Sequence, residues 1–478
     1  MRPTNRVIPH SEFRIPNCPV PCAILSRVMK AFSRETDVIV AGGGVAGVAA
    51  AVASARLGAR TLLVERYGFL GGLSTAGLVG PFMTWKTASG EQLIAGLFQE
   101  ILDRLQTSSG LQGPSFDAAT LAYVLQEMVL ESGAELLLHS WVCGAEVRDR
   151  VLSGAKLQTK SGVKTIRAGR FVDATGDGDL AVQAGAQFQQ GRPRDGMTQA
   201  ATLMFDLGGA DLKKTFEYIR SNPDQMCFPK LAPDADLDGL LSGPVSAAGF
   251  YDILRQAKEA GEYDVPGDLV FFISRPRRGE VAVNTTHVGN VDCTTSEDLT
   301  RAEIEGRRQM MNLVSFFRKY VPGFENCYLA RMPTQVGVRE TRRILGEYAF
   351  AVEDVAEGRK FPDAITRLAY PVDIHDPSGS VYTRDEEKRR RIAPPPGDWY
   401  EIPYRCLLPL GIENLLVAGR CVSSTHEGHS AIRIMPCCIA MGQAAGAAAA
   451  LSLKAGVSPR SLDMETLKAA LREQGALV

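Results

Sequence analysis

Near its start the chain carries two short apolar runs separated by an alanine-rich segment. The first run spans Val38 to Val40, and the second spans Thr61 to Val64. Short runs of β-branched residues are typical of strands, whereas the alanine-rich stretch that ends near Gly58 is typical of a helix. The pattern predicts a strand, a helix and a second strand, in that order.

Both kinds of spacing recur along the next part of the chain. Apolar residues at helical spacing predict helices from Glu91 to Leu105 and from Asp117 to Glu131. Short β-type runs separated by glycine and serine turns predict strands at residues 135–139, 142–148, 155–159, 163–166 and 170–174.

The pattern changes after residue 190 to strands of moderate length and one long helix. Val270–Ser274 and Glu280–Thr286 flank a basic turn and predict a β-hairpin. Thr295 and Asp298 have the spacing of a capping box, which predicts a helix that runs to about Tyr320, before a proline and a glycine. The segment therefore indicates an antiparallel sheet with helices.

Three glycines, Gly42, Gly44 and Gly47, stand between the first strand and the first helix with the spacing G-x-G-x-x-G. In a dinucleotide-binding turn the first permits a tight turn, the second lets the backbone approach a pyrophosphate, and the third lets helix and strand pack closely. Glu65, after the second strand, is placed to accept hydrogen bonds from ribose hydroxyls. The glycine spacing also occurs in ordinary turns, but the whole order of elements favours a dinucleotide site.

Two further glycine-rich segments bear on this site. Gly71 to Thr75 offers bare backbone and two hydroxyls, which suits close contact with a flat polar ring, the alternative being a buried crossover. The turn from Thr175 to Asp179 has glycines at similar spacing, but Asp177 within it would repel a pyrophosphate, as would Asp179. We therefore expect a strand-end turn beside the first nucleotide and no second dinucleotide there.

The C-terminal block again shows a strand, a loop and a helix, at Asn414–Ala418 and Pro436–Leu453. The fold class predicted is α/β. It combines a discontinuous Rossmann-like domain, with a parallel sheet and antiparallel crossover strands, at residues 37–190 and 399–478, and an inserted α+β substrate domain with an antiparallel sheet at residues 191–398. Residues 1–36, interrupted by prolines, are predicted to be a flexible tail.

Composition narrows the classes of partner. The 478 residues carry a net charge of −1, which gives no reason to expect nucleic acid or an anionic membrane as a partner. No apolar run reaches the roughly 20 residues that a membrane span needs. Ten cysteines without a C-x-x-C pair indicate reduced thiols, a cytoplasmic location and no metal site.

At several places the chain resembles the two-dinucleotide-fold (glutathione-reductase-like) flavoproteins, and most closely a bacterial family of FAD-dependent oxidoreductases. The matching phrases include DVIVAGGGVAGVAAA, ERYGFLGGLSTAG, FVDATGDGDLA, QVGVRETRRILGEY, YPVDIH, EIPYRCLLP and NLLVAGRCVSSTHEGHSAIRIMPCCIAMGQAAG, which lie between Asp37 and about Ala450. The first and last are specific for FAD, and the others identify the family without indicating a substrate.

The resemblance implies an extended FAD, with its AMP part at the first glycine turn and its flavin ring between Gly71–Thr75 and the C-terminal block. A helix N-terminus near Pro436 would also stabilise negative charge on a reduced flavin. The residues expected to bind FAD are Gly42, Gly44, Val45, Ala46, Gly47, Glu65, Arg66, Gly71, Gly72, Ser74, Thr75, Val142, Thr175, Gly176, Gly419, Arg420, Met435 and Pro436.

Two phrases supply candidate catalytic residues. Arg339 and Arg342 could clamp an anionic substrate, the alternative being a salt-bridged, solvated face. His426 or His429 could act as a base near neutral pH, the alternative being a hydrogen bond to backbone or cofactor. His375 and His287 are weaker candidates of the same kind.

The sequence thus predicts an FAD-dependent oxidoreductase that transfers hydride between a small polar substrate, which the arginines would suit if it is anionic, and flavin. An electron acceptor or donor outside the protein completes the cycle, because no second nucleotide fingerprint is present. The alternative is a flavin-binding subunit that relays electrons within a larger complex and has no small-molecule substrate of its own.

Overall fold

The computed structural model describes residues 35–377 and 392–478, and the elements below are those of this part of the chain. The strands are β1 (Glu35–Ala41), β2 (Thr61–Val64), β3 (Leu111–Gln112), β4 (Ser115–Phe116), β5 (Glu135–Leu137), β6 (Trp141–Arg148), β7 (Val151–Thr159), β8 (Gly162–Asp173), β9 (Phe188–Gln190), β10 (Phe205–Gly208), β11 (Met226–Phe228), β12 (Ser246–Gly249), β13 (Val270–Ser274), β14 (Val281–Val283), β15 (Tyr328–Arg331), β16 (Arg342–Ile344), β17 (Ala364–Leu368), β18 (Tyr400–Pro403) and β19 (Leu415–Val417). The helices are α1 (Val45–Arg56), α2 (Leu97–Thr107), α3 (Ala118–Ser132), α4 (Asp179–Gln183), α5 (Leu212–Ser221), α6 (Leu237–Leu241), α7 (Tyr251–Glu259), α8 (Ser296–Tyr320), α9 (Val352–Ala356), α10 (His426–Ile432), α11 (Met435–Ala455) and α12 (Met464–Glu473). Of the predicted tail, residues 1–34 lie outside the described part, and residues 35 and 36 belong to β1.

The first sheet has the order β5-β2-β1-β8-β7-β6, and β19 also pairs with β8. Strands β5, β2, β1, β8 and β19 run parallel, whereas β6, β7 and the first half of β8 form an antiparallel meander. The α/β fold class with a parallel sheet and antiparallel crossover strands is therefore confirmed. Since β19 joins this sheet, the C-terminal part of the chain returns to the same sheet that β1 and β2 belong to.

One prediction in this sheet was wrong. The sequence predicted two strands, at residues 163–166 and 170–174, but β8 is a single strand through both. Its first half pairs with β7 and its second half with β1, and Ala168 lies opposite Thr36 of β1. The small residues at positions 168 and 169 resemble a turn in sequence, but hydrogen bonding to β1 keeps them extended.

A second correction concerns α2, which begins at Leu97 and not at Glu91. Gly96 has a φ of 65°, which is incompatible with helix continuation, and the Leu97 N–H donates to Gln443 Oε1 at 3.2 Å. This helix start is therefore determined by a side chain of α11, which is distant in sequence. The predicted starts of α3 and α8 are confirmed to within one residue.

The second sheet is antiparallel, with the order β11-β12-β13-β14-β10-β15. Alternate residues of β13 point to opposite faces, as the pleat requires. Val270 and Phe272 lie in a buried apolar cluster with Leu313 and Phe317 of α8. Phe271 points to the other face, which is not covered by α8 and lines a cavity. The predicted hairpin and the capped long helix are both present.

Buried ion pairs join this second sheet to the elements around β4 and α3. Asp206 of β10 accepts hydrogen bonds from Arg275 Nε and Arg331 Nε, both at 2.9 Å. Arg275 Nη2 also donates to Leu78 O at 2.8 Å, and Arg331 Nη1 donates to Asp117, the N-cap of α3, at 2.9 Å. These contacts hold the loop at residues 78–81 against the second sheet.

Three two-stranded sheets, β3 with β4, β9 with β16 and β17 with β18, complete the pairing of the described strands. The sheet of β17 and β18 joins residues on either side of position 398, and the described residues belong to one compact unit. The domain boundaries expected at residues 190 and 398 therefore stay a prediction.

Helix α11 packs directly on α1 through two glycines. A Cβ atom on Gly442 would lie 2.0 Å from Ala46 O, and one on Gly446 would lie 2.0 Å from Ala50 O. Among the described helices α11 is the one long and apolar enough for a membrane span, and 83% of its most apolar window is buried. Such burial is typical of the central helix of a packed core.

We expect Gly446→Ala to lower the free energy of unfolding by about 1–3 kcal/mol or more, because the new methyl group must push two backbones apart. The measurement is urea unfolding followed by circular dichroism. Gly243→Ala is the matched control, since its Cβ would meet only Leu240 O at 3.8 Å. Equal stability of the two variants would contradict the close backbone packing.

Candidate active site

The three glycines of the first turn have different neighbours. Gly42 has a φ of 96°, and a Cβ there would lie 2.5 Å from Ala174 O. A Cβ on Gly47 would lie 1.7 Å from Gly42 O. At Gly44 the backbone has a φ of −64°, and the nearest atom to a new Cβ is Gly72 Cα at 3.9 Å. The protein's own packing thus explains the first and third glycines but not the second.

Glu65 lies directly beside this turn. Its Oε2 accepts a hydrogen bond from Gly43 N at 2.6 Å, and its Oε1 accepts one from Tyr67 N at 2.8 Å. Burial raises the pKa of Glu65, while these backbone donors act in the opposite direction. The guanidinium of Arg66 lies 4.9 Å from the ring centroids of both Tyr67 and Trp141. Predicted residue Val142 follows Trp141 on β6 and is buried.

The segment from Gly71 to Thr75 lies against the first turn. Gly71 N donates to Gly43 O at 2.8 Å, and a Cβ on Gly72 would lie 2.9 Å from Gly44 Cα. The Ser74 hydroxyl donates to Gly71 O at 2.6 Å, and the Thr75 hydroxyl donates to Leu70 O at 2.7 Å. Both predicted hydroxyls therefore already bond within their own loop, while Ser74 also lines the cavity described below.

The acidic turn is compensated by arginines. Asp177 Oδ1 accepts hydrogen bonds from Arg420 Nη2 and Thr341 Oγ1, both at 2.7 Å. Burial acts to raise the pKa of Asp177, but these two partners hold it below its ordinary value. Arg342 Nη2 donates to Asp179 at 2.6 Å. Burial and the neighbouring carboxylates nevertheless raise the pKa of Asp179 to about 6.

The remaining residues expected to bind the cofactor cluster at the start of α1 and at nearby turns. Val45 and Ala46 open α1, and a Cβ on Gly419 would lie 3.0 Å from Ala46 Cβ. A Cβ on Gly176 would lie 3.0 Å from Arg420 Nη2, and the Thr175 hydroxyl donates to Asp173 at 2.7 Å. Met435 and Pro436 form the first turn of α11.

The two histidines predicted as bases are buried on α10. His426 Nδ1 lies 2.9 Å from Glu340 Oε2, and Glu340 also pairs with Arg343 and accepts from Gln199 N at 2.9 Å. His429 Nε2 lies 2.8 Å from Arg420 O. Neither histidine lines the cavity.

A cavity of about 880 Å³ lies between the glycine-rich loops and the second sheet. Of the residues predicted from sequence, Ser74, Arg339, Arg420 and Met435 line it, whereas Arg342 does not. The second sheet lines the cavity with the face that points away from α8. Four further lining residues have charged or polar side chains and form what we call the polar end of the cavity: Tyr370, Asp373, His375 and Arg433.

Asp373 contacts each of the other three residues. The Tyr370 hydroxyl donates to Asp373 Oδ2 at 2.9 Å, and His375 Nε2 lies 3.5 Å from the same oxygen. Arg433 Nη2 donates to Asp373 O at 3.0 Å. Burial, followed by the charge of Arg339, lowers the pKa of His375 to about 3, so that its imidazole is neutral near pH 7.

From the sequence alone, Arg433 has no predicted role and His375 is a weaker candidate base. Both lie in phrases that resemble the family, YPVDIH and IRIMP, and nothing in their spacing shows that the phrases meet. No group of three or more histidine, cysteine, aspartate or glutamate side chains within residues 35–377 and 392–478 is arranged to hold a metal ion.

The burial of His429 predicts a pH effect on stability. Burial lowers its pKa to about 3, whereas the unfolded chain takes up a proton near pH 6.5, so acid favours unfolding. Between pH 7 and pH 5 we expect the wild type to lose about 2 kcal/mol more stability than His429→Gln. Urea unfolding at both pH values with saturating FAD measures this difference. Parallel losses would show that His429 is not held neutral.

Comparisons with known proteins identify the family of the chain. Residues 37–471 match the family model described as FAD dependent oxidoreductase. Similar solved structures include a geranylgeranyl bacteriochlorophyll reductase-like protein from Thermoplasma acidophilum (12% identity, TM-score 0.46, 92% of this chain and 84% of that one). Another is the p-nitrophenol 4-monooxygenase PnpA from Pseudomonas putida (12% identity, TM-score 0.43, 92% and 85%).

A third is the amino acid oxidase NikD of nikkomycin biosynthesis (14% identity, TM-score 0.42, 91% of this chain and 97% of that one). At these identities and TM-scores none of the three carries an argument about the substrate. No curated protein matches the chain in sequence. The family match covers nearly all of the described residues, and the chain therefore belongs to the FAD-dependent oxidoreductases, with FAD as its cofactor.

Proposed function

We propose that the protein transfers hydride between a small anionic substrate and FAD, and that an electron acceptor or donor outside the protein completes the cycle. The observation that carries the proposal is the cavity itself. It joins Ser74 and Met435, from the loops expected at the flavin, to Arg339, Arg433 and His375 at its polar end. A binding site for a small molecule thus adjoins the place expected for the redox ring.

The first turn fits the AMP half of FAD. A Cβ on Gly44 would have no protein atom closer than 3.9 Å, so the space beside it is open. Glu65 lies within hydrogen-bond distance of the same turn. The start of α11 at Met435 brings the positive end of a 21-residue helix to the cavity, which stabilises negative charge there. When bound, FAD supplies a ring that accepts or donates hydride.

His375 is the residue we propose for proton transfer. Its imidazole is neutral near pH 7, lines the cavity and lies beside the carboxylate of Asp373, which can stabilise the protonated form. Arg339 and Arg433 would orient an anionic substrate next to it. We therefore propose His375 as the base in place of His426 or His429, because His375 lines the cavity and the other two do not.

The alternative, an electron-relay subunit without a substrate, would also hold FAD near Ser74 and Met435, but it gives no reason for Arg339, Arg433 and His375 in the same cavity wall. A glutathione-reductase-like way of holding FAD, with a discontinuous FAD-binding domain and an inserted substrate domain, remains our proposal for the layout.

We also propose a cytoplasmic location. It is supported by the free thiols of the described cysteines, of which Cys421 and Cys437 are among the buried ones.

We expect Gly44→Ala to bind FAD at least about tenfold more weakly, because the methyl group would occupy the space through which a pyrophosphate approaches the backbone. Without FAD, its unfolding free energy should stay within about 0.5 kcal/mol of the wild type. Flavin fluorescence titration and urea unfolding measure the two quantities. Gly47→Ala is the contrasting control and should lose stability without FAD, since its Cβ would meet Gly42 O. Unchanged FAD affinity in Gly44→Ala would refute the placement.

An anaerobic screen of small carboxylates for loss of flavin absorbance tests the reaction. With a substrate that bleaches the flavin, we expect His375→Gln to slow reduction by about a hundredfold or more, as loss of a general base does. His426→Gln should slow it far less once the protein is shown to be folded. The opposite ranking would return the base to His426, and a flavin that no small molecule reduces would favour the relay subunit.

A further inference from the structure

We infer that Gln199 is a positioning residue, which holds His375 and Arg433 in the places from which they act on a substrate. The inference rests on the proposed function, because it concerns the residues that are assigned there to proton transfer and to substrate binding. Gln199 is 2% exposed and does not line the cavity, so it acts through the residues that it contacts.

The side-chain oxygen of Gln199 faces two donors. Its Oε1 accepts a hydrogen bond from the main-chain N–H of His375 at 3.2 Å, and Arg433 Nη2 lies 3.5 Å from the same oxygen. Because both neighbours are donors, the oxygen of the side-chain amide and not its nitrogen must face them. A single atom thus contacts the main chain of the proposed base and the guanidinium of an arginine proposed to bind the substrate.

The side-chain nitrogen of Gln199 takes no part in this contact. Nε2 is buried and has no hydrogen-bond partner among the described residues. Replacing this nitrogen by an oxygen, as in glutamate, therefore removes no hydrogen bond. Replacing the amide by the thioether of methionine keeps a side chain of similar length but leaves only a weak acceptor. These two substitutions separate the effect of the acceptor from the effect of size.

The main chain around Gln199 is fixed by its own hydrogen bonds. Gln199 N donates to Glu340 Oε2 at 2.9 Å, Ala200 N donates to His375 O at 3.0 Å, and Ala201 N donates to Val288 O at 2.9 Å. Both the N–H and the C=O of His375 are thus bonded to positions 199 and 200. The acceptor on Gln199 is therefore attached to a support that is itself held in place.

Glu340 connects this support to α10. Its buried carboxylate pairs with Arg343 and lies 2.9 Å from His426 Nδ1. A carboxylate removed from water needs such partners, and they fix its position. His426 therefore contributes to the support of Gln199 without lining the cavity.

The same support also contacts Arg339, whose Nη1 donates to Ala200 O at 2.7 Å. Positions 199 and 200 thus contact all three residues to which the proposed function assigns a role: Arg339, His375 and Arg433. These three residues come from separate segments of the chain. Contact with one rigid support keeps their relative positions constant, as a preorganised site requires.

Crystal structures of FAD-loaded Gln199→Met and Gln199→Glu test the positions directly. In Gln199→Met we expect the main chain of His375 to move by about 0.5 Å or more, which is the tolerance of a preorganised site. In Gln199→Glu it should stay in place, because the carboxyl group offers an acceptor oxygen at the same position. An unmoved His375 in Gln199→Met would overturn the inference.

Gln443→Met is the matched control for both measurements. Gln443 is 1% exposed, and its Oε1 accepts a hydrogen bond from Leu97 N at the same distance of 3.2 Å, but it does not line the cavity. This variant should leave His375 in place. An equal displacement of His375 in Gln443→Met and Gln199→Met would contradict the assigned contact.

The rate of flavin reduction supplies a second measurement, with a carboxylate that bleaches the flavin in the screen above. At saturating substrate we expect Gln199→Met to slow reduction about tenfold or more, because a displaced base no longer meets the proton that it removes. Gln199→Glu should recover most of the rate, and Gln443→Met should keep all of it. If Gln199 only filled space, the uncharged methionine would serve better than glutamate, so a faster Met variant would overturn the inference.

The outcomes separate this inference from the proposed function. If His375 is displaced in Gln199→Met but His375→Gln reduces the flavin at the wild-type rate, the support by Gln199 is correct and the proposed base is wrong. If His375→Gln slows reduction but Gln199→Met neither displaces His375 nor slows reduction, the proposed base stands and Gln199 has no positioning role.

Discussion

The active site depends on the contact between the backbones of α1 and α11. Helix α1 follows the glycine turn, and α11 follows Arg420 and Arg433, so their approach brings the two ends of the chain to one place. The approach is possible because the facing positions of α11 are glycines, where a Cβ would lie 2.0 Å from a carbonyl oxygen of α1. Alanine on both helices keeps the remaining distance short. Without this contact the polar end of the cavity would lose its link to the nucleotide turn.

Burial explains which charged residues are structural. A charged group removed from water needs a partner, so the acidic turn after β8 carries arginines opposite it, and Glu340 carries both Arg343 and His426. Arg342 and Arg433 each have a buried Nε without a hydrogen-bond partner among the described residues. Arg433 lines the cavity and Arg342 does not, so only Arg433 of the two is accessible to a ligand there.

Local spacing was enough to predict much of the fold. The glycine turn, α1, β2, α3 and the capped start of α8 all follow from residues within one element, and the structure has them. The errors occur where a residue distant in sequence determines the start or the length of an element. Gln443 contributes to the start of α2, and pairing with β1 keeps β8 continuous. The cavity could not be predicted for the same reason, since its polar end combines Arg339, His375 and Arg433 from three separate segments.

The second sheet shows how one strand can serve packing and binding together. Its β13 directs Phe272 into the core against α8 and Phe271 into the cavity, and both positions are aromatic. A sheet whose second face met water would carry polar residues at every other position, and β13 does not. On the face away from α8, Phe271 packs against a small buried cluster that contains Leu269 and Tyr251, so this face also contributes to packing. The same face lines the cavity together with Arg339 and Arg433, so a ligand bound there would contact apolar and charged side chains at once.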